Sequence, residues 1–129
     1  MPILISLIED DQMSMTALLK GLSSPDLPAG EPSLPEYPRC CWIVLHADIG
    51  LPSSGAAADV FTFYVTTPEF VNSELCTQRF QLGKSMIIVK EFSWGDVRAA
   101  IVAVLAKCSG DTWDAIATQI GGYAEYEYA

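Results

Sequence analysis

A chain of 129 residues is long enough to bury one hydrophobic core and short for two. Half of its residues are hydrophobic and 18% are charged, which excludes a disordered chain and predicts a globular one. The 16 acidic and 7 basic residues give a formal charge of −9, and this weighs against direct binding of nucleic acid or anionic membrane, since both draw their affinity from Lys and Arg.

The apolar run Pro2–Ile8 has no basic residue ahead of it and meets Glu9-Asp10-Asp11, so it fits neither a signal peptide nor a membrane span. Residues 1–15 are read as an N-terminal extension or flexible arm ahead of one domain over residues 16–129. Thr16–Leu22 predicts a first strand. Pro25, Pro28, Pro32, Pro35 and Pro38 forbid a helix or a central strand, so residues 23–39 are read as an extended surface loop. In the next run Cys41, Ile43, Leu45, Ala47 and Ile49 alternate with Trp42, Val44, His46 and Asp48, the pattern of a strand with one apolar and one mixed face. Small and turn residues fill Gly50–Ala58, and Val60–Thr66 resumes the alternation, so the two strands predict a hairpin.

Thr67 is placed to cap a short helix with Pro68 at its first position, and Phe70, Val71 and Leu75 give that helix an apolar side. Lys84–Glu91, centred on Met86-Ile87-Ile88-Val89, predicts a third strong strand. Ser93 then caps a helix with Asp96 in its first turn, and Val97, Ile101, Val104, Leu105 and Cys108 share one face. Gly110 is read as its stop. Asp111 or Thr112 caps a last helix with Trp113, Ile116, Ala117 and Ile120 on its apolar stripe, and Gly121-Gly122 ends it. Tyr123–Tyr128 reads as a closing strand with Ala124, Tyr126 and Tyr128 on one side. Strands arriving in hairpins and helices collecting late predict an α+β fold, a two-layer sandwich of a mainly antiparallel sheet with about three helices on one face.

Groups for catalysis are few. His46 and Asp48 project from one strand face two residues apart, the most direct acid–base pair available, and with a pocket between helices and sheet they define the alternative reading as a small enzyme or ligand-binding domain. There is no Gly-x-Ser-x-Gly, no glycine-rich phosphate loop and no His-Glu-x-x-His. Asp48, Asp59, Glu125 and Glu127 match no compact calcium loop and read as a solvated acidic face. Cys40, Cys41, Cys76 and Cys108 lack zinc spacing and suggest a reducing, cytoplasmic setting. Phe92, Trp94 and Trp113 flank helix starts and read as core or its rim. Tyr123, Tyr126 and Tyr128, interleaved with Glu125 and Glu127, instead have the composition of a contact surface for a basic protein. No Lys or Arg lies between Arg39 and Arg79 or after Lys107, so the negative charge is patchy and would steer such a partner.

A wider pattern runs through Leu22-Ser23-Ser24-Pro25-Asp26, Ala47-Asp48-Ile49-Gly50 and Asp59-x-Phe61-x-Phe63-x-Val65-x-Thr67-Pro68. It continues through Trp94-x-Asp96, Cys108-x-Gly110-x-Thr112-Trp113-x-x-Ile116-Ala117 and Tyr123-x-Glu125-Tyr126-x-Tyr128. In the order and spacing of these residues the chain resembles, over about residues 16–128, the immunity protein 8 family of bacterial polymorphic toxin systems. The resemblance implies a protein without an active site or cofactor that binds and neutralises a cognate toxin domain, a basic one and in many systems a nuclease. On this reading Asp48, Asp59, Glu125, Tyr126 and Glu127 form the partner-binding surface. A monomer is favoured, with the oligomeric state otherwise open.

Overall fold

The computed structural model describes residues 14–129, so the expected N-terminal extension lies almost wholly outside the described residues. Strand β1 (Met15–Thr16) pairs antiparallel with β6 (Ser109–Gly110). The main sheet has five strands: β2 (Leu18–Ser23), β3 (Trp42–Gly50), β4 (Asp59–Thr66), β5 (Met86–Ile88) and β7 (Glu125–Tyr126). Three α-helices, α1 (Pro68–Glu74), α2 (Trp94–Leu105) and α3 (Trp113–Ile120), complete an α+β architecture with a mainly antiparallel sheet.

The sheet order is β2-β3-β4, and the far edge of β4 is shared. At its C-terminal end Tyr64, Val65 and Thr66 face β5 in parallel register, while Phe61 and Thr62 nearer its start face Tyr126 and Glu125 of β7 in antiparallel register. A parallel partner requires a crossover, and α1 supplies it between β4 and β5.

Strand alternation decides which side becomes core. Ile43, Leu45, Ala47 and Ile49 of β3 and Phe61, Phe63 and Val65 of β4 are all buried, and they form one cluster with Val97, Ile101 and Leu105 of α2 and Ile116, Ala117 and Ile120 of α3. Burying each of the larger side chains contributes about 1.5–3 kcal/mol, which makes this face the main source of stability. The capping signals act as expected, with Thr67, Ser93 and Thr112 each accepting a bond from the backbone N–H three residues on, at Phe70, Asp96 and Ala115. Helix α1 buries no residue, and its Phe70 meets Trp42 instead, so α2 and α3 supply the core layer.

The proline-rich loop is pinned rather than merely extended. Leu27 is buried, the Trp94 indole donates to Ser33 O at 2.7 Å, the Phe92 N–H donates to Pro38 O at 2.7 Å, and Arg98 pairs with Glu31. Its beginning also finishes the sheet. Where β2 ends opposite His46, Ser24 Oγ donates to Val44 O at 2.5 Å and Asp26 Oδ2 accepts from Val44 N at 2.8 Å, so side chains replace the missing strand partner.

Four expectations change in detail. The first strand breaks at Ala17 into β1 and β2, because its two halves pair with different partners, β6 and β3. The strand expected over Lys84–Glu91 shortens to Met86–Ile88, flanked by backbone bonds from Tyr64 N to Ser85 O and from Val89 N to Thr66 O, and the residues beyond make no further backbone bonds to β4. The helix expected to run to Gly110 ends at Leu105, and Gly110 pairs with Met15 in β6 while Cys108 is buried beyond the helix. The closing strand over Tyr123–Tyr128 contracts to Glu125–Tyr126, since the turn after α3 holds Tyr123 and Ala124 through bonds to Ile120 O.

Candidate functional site

The sheet face opposite the core carries Trp42, Val44, His46 and Asp48 from β3, Val60, Thr62 and Tyr64 from β4, and Glu125 from β7. The β3 and β4 members are half-buried, Glu125 is exposed, and none of them belongs to the core cluster. At one end Trp42 stacks on Tyr64 with ring centroids 5.4 Å apart and lies 5.9 Å from Phe70 of α1. Tyr64 OH donates to Glu125 Oε2 at 2.8 Å. That hydrogen bond, with lesser effects of burial and of the Glu125 charge, raises the Tyr64 pKa above its ordinary value.

At the other end Asp48 lies opposite Gly21 of β2, beside an open cleft of about 680 Å³ lined also by Leu18, Lys20 and Ala58. A side chain at position 21 would bring its Cβ to 3.0 Å from Asp48 Oδ2, so glycine there leaves the carboxylate its space. The nearby cation is already engaged. Lys20 Nζ donates to Ser54 Oγ at 2.7 Å, Gly55 O at 2.6 Å and Ala57 O at 2.9 Å, tying the β3–β4 connection to β2. An ammonium has three protons, and all three are committed to that loop.

Asp59 and Tyr126 do not share this face. Asp59 stands in register with Ile49 on the core side, where its Oδ2 accepts from Trp113 Nε1 at 2.7 Å and from Tyr126 OH at 2.6 Å. Tyr126 stacks on Phe61 at 4.6 Å with its ring almost parallel, 7° between planes. Burial first, and then the hydrogen bond and charge of Asp59, push the Tyr126 phenol up to about 12. Asp59 therefore joins β4, α3 and β7. Glu127 is exposed just beyond β7, its backbone N–H reaching Val60 O at 3.2 Å, and its charge and hydrogen bond raise the pKa of the exposed Tyr128.

His46 and Asp48 do share a face, as their spacing predicts, but it is the face away from α2 and α3, so no pocket between helices and sheet includes them. His46 Nδ1 instead lies 3.2 Å from Thr62 Oγ1 across the strand pair. Among the described residues no group of three or more His, Cys, Asp or Glu side chains is arranged to hold a metal ion, and no helix is long and apolar enough to cross a membrane. Trp42, on the mixed face of its strand, and Tyr64 and Phe70 were not among the contact residues expected from the sequence. Their alternation with buried neighbours was the available signal, since it puts Trp42 and Tyr64 opposite the core.

A family model described as Immunity protein 8 matches residues 17–129 of the chain. The chain belongs to that family. It is thus an immunity protein, of a kind that acts against a toxin. No curated protein and no solved structure matches the chain. For an immunity protein the feature of interest is a surface for the toxin, and the face opposite the core is where this immunity protein 8 domain gathers aromatic area and two carboxylates, Asp48 and Glu125, that form no ion pair among the described residues.

Proposed function

We propose that this immunity protein neutralises its toxin by presenting the open sheet face, rimmed by Asp48, Glu125 and Glu127, to a basic surface of the toxin domain. The observation that carries the reading is the company those carboxylates keep. Asp48 and Glu125 lie on one face with Trp42, Val44 and Tyr64, none packed against the core, while Lys20 spends its charge on the neighbouring loop. Aromatic area supplies the contact energy, and the carboxylates supply direction and association rate. Asp59 and Tyr126 contribute indirectly, by holding β7 and hence Glu125 in place.

A nuclease fits the partner's side of this surface, because a protein that grips phosphate must itself be basic. A standard interface uses about 800 Å² on each partner, roughly a tenth of the 8043 Å² of accessible surface here. The inhibitor acts by binding alone, in equimolar amount and in the cytoplasm.

The test is capture of the toxin domain from the native cells at low salt, followed by titration of its toxicity with purified protein. Neutralisation should end at one equivalent, with association that slows as salt rises. Reversing Asp48, Glu125 and Glu127 to Lys should slow association about tenfold or more at low salt and flatten the salt dependence. A neutralised toxin whose association rate ignores both salt and the triple reversal rules out this face.

A further inference from the structure

Between the start of β3 and α1 lies an open cleft of about 290 Å³, lined by Trp42, Phe70, Glu74, Gln78 and Gln81. Two of its lining residues are aromatic, and the Trp42 ring also stacks on Tyr64. The polar groups are short of donors. Among the described residues the Glu74 carboxylate receives one side-chain bond, a long one of 3.4 Å from Gln78 Nε2. No basic side chain lines the cleft.

We infer that this cleft is a socket for an arginine side chain of the bound partner. A guanidinium brings what the site can use: N–H donors in one plane for the two oxygens of the Glu74 carboxylate, and a flat cation to lie against the aromatic wall of Trp42 and Phe70. A lysine ammonium would satisfy the charge but could not present a planar fork to two acceptors while stacking on a ring. The inference rests on the reading of the open face as the toxin-binding surface. Trp42 belongs to both, so an arginine seated here would anchor one end of an interface whose other end meets Asp48.

The socket can be tested without the toxin. Nitrogen–proton NMR spectra of the intact protein are followed during titration with N-acetyl-arginine amide, N-acetyl-lysine amide and the neutral isostere N-acetyl-citrulline amide. The arginine derivative should shift the Trp42 indole and Gln81 side-chain amide signals saturably, with a dissociation constant on the order of millimolar for so small a ligand. The lysine derivative should bind several-fold more weakly, and citrulline should give no saturable shift. Glu74→Gln, at the solvent-facing end of α1, should leave the fold intact and weaken arginine binding about tenfold. No saturable shift with arginine, or an equal response to citrulline, overturns the inference. With the toxin domain in hand, Glu74→Gln should speed dissociation about tenfold. A toxin neutralised and released at an unchanged rate would refute the anchor while leaving the open face standing. A protein that binds no toxin would refute the face, and the titration then decides the cleft by itself.

Discussion

Replacing Asp59 with alanine separates the residues that hold the candidate surface from those that meet the partner. The Asp59 carboxylate accepts two bonds, from Trp113 Nε1 at 2.7 Å and Tyr126 OH at 2.6 Å, and both donors are half-buried. Hydrogen bonds to a charged acceptor contribute about 1.5–3 kcal/mol each, and partial exposure argues for the lower end, so Asp59→Ala should cost about 3 kcal/mol. In urea, with a slope of about 2 kcal/mol per molar for a domain of this size, the midpoint should fall by roughly 1.5 M. Tyr126→Phe removes one of the two bonds and should cost about 1.5 kcal/mol. In the double variant the two losses should not add, with a coupling of about 1–2 kcal/mol. Charge removal at exposed Glu125 should change the midpoint by no more than about 0.5 kcal/mol equivalent while altering partner association. If Asp59→Ala keeps its urea midpoint yet slows association as Glu125→Gln does, the assignment of Asp59 to holding β7 and α3 is wrong.

Further outcomes follow from individual contacts. The Tyr126 phenol is raised from 10 to about 12 in the folded state, so its contribution is fully present below pH 10 and is lost as pH rises toward 12. Stability measured through that window should fall more steeply in the native protein than in Tyr126→Phe, and equal slopes would refute the shift. A Cβ at Gly50 would sit 2.5 Å from Ala57 O, so Gly50→Ala should destabilise by about 1–3 kcal/mol, seen as a lowered thermal midpoint, unless the β3–β4 connection shifts. All four cysteines are free, and burial raises the Cys41 and Cys108 thiols above their ordinary pKa. Cys40 and Cys76 should therefore react quickly with a thiol reagent and Cys41 and Cys108 slowly, and four equal rates would contradict the burial pattern.

What could be read in advance was local. The alternation from Cys41 to Ile49 named every buried β3 side chain, and Thr67, Ser93 and Thr112 announced their helices because a cap needs only a neighbour three residues away. Strand parity also placed His46 with Asp48. The helices cover the apolar face of β3, which leaves His46 and Asp48 on the mixed face and outside any pocket between helices and sheet. The contacts of Asp59 could not be read this way. Its donors, Trp113 and Tyr126, lie 54 and 67 residues away, and nothing in the spacing of the chain brings them together. Gly110 read as a helix stop because its partner Met15 enters from the far end of the chain.

The division between the two faces depends on one irregularity in β2. Leu19 and Leu22 are three residues apart, so in a regular strand they would point to opposite sides. The pairing of β2 with β3 shifts between Leu19 and Gly21, with Leu19 opposite Ile49, Gly21 opposite Asp48 and Leu22 opposite Ala47. Lys20 is the extra residue of this bulge. Both leucines thereby pack against the core, glycine falls where the Asp48 carboxylate needs room, and the Lys20 ammonium is released to the loop carbonyls at Gly55 and Ala57. Without the shift, Lys20 would stand directly opposite Asp48 and neutralise it, and Leu22 would fall opposite His46 on the open face. One inserted residue thus completes the core and leaves the Asp48 carboxylate without an ion pair among the described residues, on the surface we assign to the toxin.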